Sequence, residues 1–363
     1  MLSYGKLTLM KKIINKWVHI PGLHCGSVAL RDVITYYGYN FSEAMCFGLG
    51  GGLGFFYASG SPTTLPLNPR PDRGYPRSQD ENMSPSQIIH LRGPGMEPNF
   101  FSLIDKPTSW KYEQDEDKAF EIAKEWINED VPILVQTDIF YLDYYKSSTH
   151  FPGHVVSVWG YDDETEIVFL ADTGFRGLQP ITYENFKKGR TSKAMPFPLD
   201  NNWFEVILKK AIRPLSEVIP EAIRRNAIFM TQGVKSLRGE SGVKMIKRWA
   251  EDLPIWADAS DWRWCVRFAY QVIEKRGTGG GGFRWLYRDF LREAEEIIPA
   301  LKEFKFSEKM DLIGNKWSEM SMLLKEISER EKNSNPFIKA SEKAEELGDL
   351  EEKFYSAVLD KIL

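Results

Sequence analysis

Cysteine is scarce in this chain of 363 residues: there are three, Cys25, Cys46 and Cys265. They form no close pair. That excludes a secreted-style disulfide framework and a cysteine-based zinc site, and it fits a reducing compartment. Long apolar runs are missing too, and none approaches the roughly 20 residues that a membrane span requires. Charge of one sign is not in excess, since 47 Lys and Arg against 51 Asp and Glu leave a formal net charge of -4. Such a near-balance offers no long-range attraction for nucleic acid. The opening MLSYGKLTLMKKIINKW has no apolar run followed by a small-residue cleavage site. It reads as mature protein, expected in the cytoplasm, with neither membrane nor nucleic acid among its partners.

What the chain does hold is apolar material for two cores. Hydrophobic residues make up 42% of it and aromatics 13%, and a chain of this length suits two domains better than one. Helical spacing of Leu30, Val33, Ile34 and Tyr37, with Gly38 as a stop, predicts a helix that begins at or near Cys25. A second, short helix is expected over Ser42–Phe47. The glycine run from Gly48 to Gly54 follows, where missing side chains permit a tight bend or a close approach to a substrate. Residues 61–112 read as long loops, with one helix after Ser84-Pro85. Regular elements resume with an acidic helix near Gln114–Asn128. Strands are then predicted at Val131–Thr137, Val155–Trp159, Ile167–Ala171 and Trp203–Leu208, with a turn at Tyr161–Glu164. A helix followed by antiparallel strands predicts an α+β domain over residues 1–210.

Beyond residue 210 the strand signal fades. Leu286, Phe290 and Ile297 fit one helical stripe, and Ile313, Trp317, Met320, Leu324 and Ile327 fit another. Residues 211–363 are therefore expected to form a mainly helical companion domain, with a role in partner or substrate selection as one wall of a cleft. Trp262 and Trp264 read as core. The run Gly277–Gly282 lacks the lysine and the flanking strand of a phosphate-binding loop.

The chemical signal lies around Cys25. A thiol at a helix start sits near unpaired N–H groups and the positive end of the aligned peptide dipoles, both of which favour the thiolate. Gly26 and Ser27 leave room around the sulfur. His154, just after Pro152-Gly153 and at the head of a strand, is the candidate base. Asp172 stands at the end of the next strand, so a hairpin between the two strands would bring its carboxylate to the imidazole. For the oxyanion, the Cys25 amide is one candidate donor, and His19, six residues before the nucleophile, is the side-chain candidate. His24 either lines the cleft or caps the turn. Cys46 and Cys265 read as packing residues.

At these residues the chain also resembles a known family. HCGSVALRDVITYYG, SEAMCFGLGGGLGFFY, GHVVSVWGYDDE and VFLADT resemble, in order, blocks of the amino-terminal domain of the butirosin-biosynthesis acyltransferase family. The likeness spans roughly residues 18–210, and GTGGGGFRWLYRDFLREA resembles part of the helical companion domain that follows. It implies a papain-like cysteine-peptidase fold, with Cys25 as nucleophile, His154 as base and Asp172 as its orienter. Papain-like peptidases usually place a glutamine where this chain has His19, which argues against ordinary peptidase activity. The implied function is transfer of an acyl or aminoacyl group from a thioester donor to an amine through a cysteine thioester, in secondary metabolism. No tightly bound cofactor is expected. A phosphopantetheine-type thioester, an acyl carrier protein and a small-molecule amine are the implied donor, carrier and acceptor, and homo-oligomerisation stays open. Two alternatives stand beside it: a cysteine peptidase or amidase, and a noncatalytic binding or scaffold protein that retains the fold. Metal-assisted hydrolysis is weaker, because no compact ligand cluster has convincing spacing.

Overall fold

A computed structural model describes residues 10–59, 85–148, 150–194, 198–208, 211–236, 239–330 and 335–362. In chain order, β1 (Lys11–Ile13) is followed by α1 (Cys25–Tyr36), α2 (Glu43–Leu49), β2 (Leu53–Ser59), β3 (Gln87–Arg92) and α3 (Met96–Ile104). Then come α4 (Glu116–Asn128), β4 (Ile133–Thr137), β5 (His154–Asp162), β6 (Ile167–Ala171), β7 (Gln179–Thr182), α5 (Tyr183–Thr191) and β8 (Trp203–Glu205). After α6 (Leu215–Gln232) and the short strands β9 (Lys235–Ser236) and β10 (Gly239–Ser241), the chain is helical. Its last elements are α7 (Val243–Trp256), α8 (Trp262–Glu274), α9 (Arg284–Ile297), α10 (Phe306–Glu329) and α11 (Asn335–Lys361). Both sheets are antiparallel, and the class is α+β.

By contact the chain divides into two units, and the division interleaves along the sequence. Described residues within 10–41 and 109–208 form the first unit; those within 42–59, 85–108 and 211–362 form the second. This differs from a single boundary at residue 210 over the described residues 42–59 and 85–108.

The first unit is built on a sheet of order β7-β6-β5-β4-β8, with β1 pairing β5. All nine residues of β5 are buried, as expected for a central strand covered on both faces. Its hairpin with β6 pairs Asp162 with Ile167 and Ser157 with Ala171, and a bulge between Val158 and Gly160 shifts the register. Gly160 is required there, since a Cβ would sit 2.6 Å from the Lys12 carbonyl oxygen. Helix α1 packs against β5 through an apolar face that includes Val28, Leu30, Val33 and Ile34, all buried. The fourth expected strand is short, Trp203–Glu205.

In the second unit a sheet of order β3-β2-β10-β9 packs among helices. Phe55 of β2 meets Trp249 of α7 and Trp317 of α10, and the two indoles stack at 5.9 Å. Each such ring contributes roughly 1.5–3 kcal/mol by leaving water. Two expectations need correction. The residues after Ser84-Pro85 form strand β3, not a helix, because alternate Ile89 and Leu91 are buried beside β2; the helix begins only at Met96. Ile297 is 40% exposed, whereas Leu286 and Phe290 are buried; the stripe on α9 runs on through Leu291 and Ala294 instead.

The glycines of the run 48–54 face protein atoms. A Cβ on Gly48 would lie 2.0 Å from the Phe290 ring, and one on Gly52 would lie 2.4 Å from Phe47. Their missing side chains serve close packing. The same holds at Gly280, Gly281 and Gly282, whose positive φ angles and contacts with Trp285, Gly314 and Leu91 explain that run without a phosphate.

Candidate active site

Cys25 is the first residue of α1 and part-exposed, whereas Cys46 and Cys265 are buried. The helix start is organised by the preceding histidine: His24 is the N-cap, and its Nδ1 accepts the Ser27 amide at 3.3 Å. A side chain that accepts from the first turn satisfies an amide the helix ladder cannot use. His24 therefore caps the turn.

His154 opens β5, and Asp172 follows β6 directly. Hairpin pairing brings both to the same end of the sheet, where His154 Nε2 lies 2.8 Å from Asp172 Oδ1. With Nε2 committed to the carboxylate, Nδ1 is the ring nitrogen left for another partner. The Cys25 side chain interacts with His154 and helps to raise its pKa. The three residues expected to act together are thus neighbours.

Two further residues join them that sequence reasoning missed. Tyr144 donates its hydroxyl to Asp172 Oδ2 at 2.7 Å, and Tyr145 donates to Oδ1 at 3.2 Å. The Tyr145 hydroxyl also lies 3.4 Å from His154 Nε2, and its ring meets the imidazole edge-on. The aromatic stretch Tyr141-Leu142-Asp143-Tyr144-Tyr145 between β4 and β5 was the available signal, but nothing local says where its hydroxyls point.

Electrostatics follow from these contacts. Burial by itself would lower the His154 pKa, yet the Asp172 charge, its hydrogen bond and the Cys25 sulfur outweigh burial and raise it. Burial would raise the Asp172 value; the His154 charge and the hydrogen bonds from His154, Tyr144 and Tyr145 instead hold it below the usual carboxylate range. Both phenols are pushed far up by burial and by the carboxylate they face, so they act as neutral donors. Together these groups favour an imidazolium beside the sulfur, the charge state a thiolate needs.

His19 requires a correction. Its side chain is fully buried, and both ring nitrogens are engaged: Nδ1 with Asp32 Oδ2 at 2.6 Å and Nε2 with the Phe175 carbonyl at 2.8 Å. Neither nitrogen is left over for an oxyanion in this arrangement. The partners are separated from His19 by 13 and 156 positions in sequence, so the spacing to Cys25 could not reveal them.

Among the described residues no group of three or more His, Cys, Asp or Glu is gathered as metal ligands. No described helix is long and apolar enough to cross a membrane.

The fold and the cluster define an α+β protein with a cysteine at a helix start, facing a histidine–aspartate pair. Comparison with known families places it more closely. Residues 24–173 match the family described as butirosin biosynthesis protein H, N-terminal, and residues 184–358 match a domain of unknown function, DUF4872. In its amino-terminal part the chain is thus similar to the butirosin biosynthesis protein H family. Cys25, His154 and Asp172 all lie inside the matched span, and His19 lies outside it. No curated protein matches the chain.

Proposed function

We propose that this protein is an acyltransferase that works through a thioester on Cys25, with a papain-like arrangement of its reactive groups. The observation that carries the proposal is the cluster itself. Cys25 at the first position of α1 interacts with His154, whose Nε2 is held at 2.8 Å by a buried, hydrogen-bonded Asp172. Likeness over residues 24–173 to a family named for an antibiotic's biosynthesis favours transfer over digestion of proteins.

In the proposed reaction the Cys25 thiolate attacks the carbonyl carbon of an acyl thioester, and the carbonyl electrons move onto oxygen. The amide of Cys25, at the helix start, is the proposed donor to that oxyanion. As the oxyanion collapses, the bond to the departing thiol breaks and the His154 imidazolium protonates the leaving sulfur. An amine then attacks the Cys25 thioester, His154 takes the amine proton, and the amide product leaves. Asp172 keeps the imidazole in one orientation throughout, and the two tyrosines keep Asp172 in place. The donor is proposed to be a phosphopantetheine-type thioester on an acyl carrier protein, and the acceptor a small amine.

Intact-mass measurement after incubation with acyl thioesters on a carrier tests this. The expected result is a covalent acyl adduct on the wild-type chain, absent in Cys25→Ala, that is discharged as an amide when amines are added. Release only as the free acid would replace transfer by hydrolysis. No adduct from any carrier-bound thioester would overturn the reading.

A further inference from the structure

The buried His19 has no place in the chemistry just described, yet its two contacts tie together the two segments that carry it. Asp32 lies on α1, the helix that Cys25 begins. Phe175 lies in the turn after Asp172, a turn closed by the Phe175 amide donating to the Asp172 carbonyl at 2.9 Å. His19 reaches both, through Nδ1 to the Asp32 carboxylate and through Nε2 to the Phe175 carbonyl. A carboxylate and a backbone carbonyl are both acceptors. Each ring nitrogen must therefore donate, and a ring that donates from both nitrogens is an imidazolium.

We propose that His19 is a charged positioning residue, which braces the Asp172–Phe175 turn against the nucleophile helix and so holds Asp172 in line with His154. The proposal rests on the reading of Cys25, His154 and Asp172 as the reactive set.

The surroundings fit that role. Arg31 engages the other oxygen of Asp32 through Nε at 3.3 Å and Nη2 at 2.9 Å, and Nη2 also donates to the Ile20 carbonyl. The backbone at 19–20 is thus fastened to α1 from both sides. A second strut runs parallel, from the Gly22 amide to the Thr173 carbonyl at 2.7 Å. On the far side of the turn the Phe175 ring packs on Tyr144 at 4.8 Å and on Tyr145 at 4.9 Å, the two residues whose hydroxyls grip Asp172. Movement of Phe175 would therefore disturb the Asp172 carboxylate by two routes, through the backbone of the turn and through the tyrosines. The charged groups facing His19 are Asp32 and Arg31. Burial and Arg31 oppose a charge on the ring, while Asp32 and the Phe175 carbonyl outweigh them and raise its pKa.

Alkylation of Cys25 by iodoacetamide separates this role from that of an oxyanion donor. Displacement of iodide passes through no tetrahedral oxyanion, so loss of an oxyanion donor leaves the rate profile unmoved. Loss of the brace weakens the hold of Asp172 on His154, and the thiolate then forms at higher pH. In His19→Ala and His19→Gln the acid limb of the alkylation profile should move up by about one pH unit, the size of one such interaction. Imidazole nitrogen NMR of the wild-type chain, with His19 assigned by its loss in either variant, should show both ring nitrogens protonated at neutral pH. A neutral His19 ring in the folded protein would overturn the proposal even if neither variant folds. So would folded variants whose profiles coincide with that of the wild type, provided that His154→Ala shifts the same profile. If His154→Ala fails to shift it, the reading of the reactive set fails first and takes the brace with it.

Discussion

At the scale of single residues, Asp172 is the most constrained group in the site. It is buried and accepts from His154, Tyr144 and Tyr145. Its folded pKa lies below the ordinary value. The stability linked to it is therefore present above the unfolded pKa of about 3.9 and is lost as pH falls through the folded value. Tyr144→Phe removes the donor to Oδ2 and leaves that oxygen short of a partner, at a cost of roughly 1–3 kcal/mol. The expected outcome is a lower denaturant midpoint at neutral pH and acid unfolding that begins at a higher pH. Unchanged midpoints at both ends would mean that the hydroxyl contributes nothing to holding the carboxylate. The proximity of His154 and Asp172 was legible in the sequence because a hairpin brings the two ends of adjacent strands together by pairing alone. Tyr144, Tyr145 and the partners of His19 were not, because a hydroxyl or a ring nitrogen finds its acceptor through tertiary packing that no local pattern encodes.

At the scale of elements, glycine shows how a local pattern can mark packing instead of function. The run at 48–54 permits close approach, and in the folded chain what approaches is the protein's own α9 and neighbouring side chains. Gly48→Ala would put a methyl group 2.0 Å from the Phe290 ring. Overpacking of this kind costs roughly 1–3 kcal/mol. A lower thermal midpoint is expected, restored in part by Phe290→Leu in the same chain. A midpoint equal to that of the wild type would show that α2 and α9 move apart freely. Helix α1 was legible through its apolar spacing, and helices α2 and α4, also expected, begin where Ser42 and Asp115 cap the first turn. Strand β3 was missed because Gln87–Arg92 sits between proline- and glycine-rich segments, and its alternation becomes informative only beside β2.

At the scale of the whole molecule, the α+β class and the helical character after residue 210 could be read from the sequence, whereas the interleaving could not. Composition changes near residue 210, but the allegiance of residues 42–59 and 85–108 depends on long-range contacts. A fragment ending at residue 210 would keep β2 and its Phe55 but lose the Trp249 and Trp317 against which that ring packs. It would also lose Phe290, which fills the space beside Gly48. With several such side chains returned to water at roughly 1.5–3 kcal/mol each, the fragment is expected to be insoluble or to lack a cooperative thermal transition. A soluble fragment 1–210 with a sharp transition and unaltered Cys25 alkylation would contradict this. The interleaving also bears on how the chain is made. Synthesis adds roughly 5–20 residues per second, so residues 42–59 and 85–108 leave the ribosome well before the helices they will join exist. For that interval Phe47 of α2 and Phe55, Ile89 and Leu91 of the small sheet, all buried in the finished fold, are offered to any apolar surface in reach. A ribosome stalled between the two halves would therefore leave behind a product whose apolar side chains lack the helices that cover them.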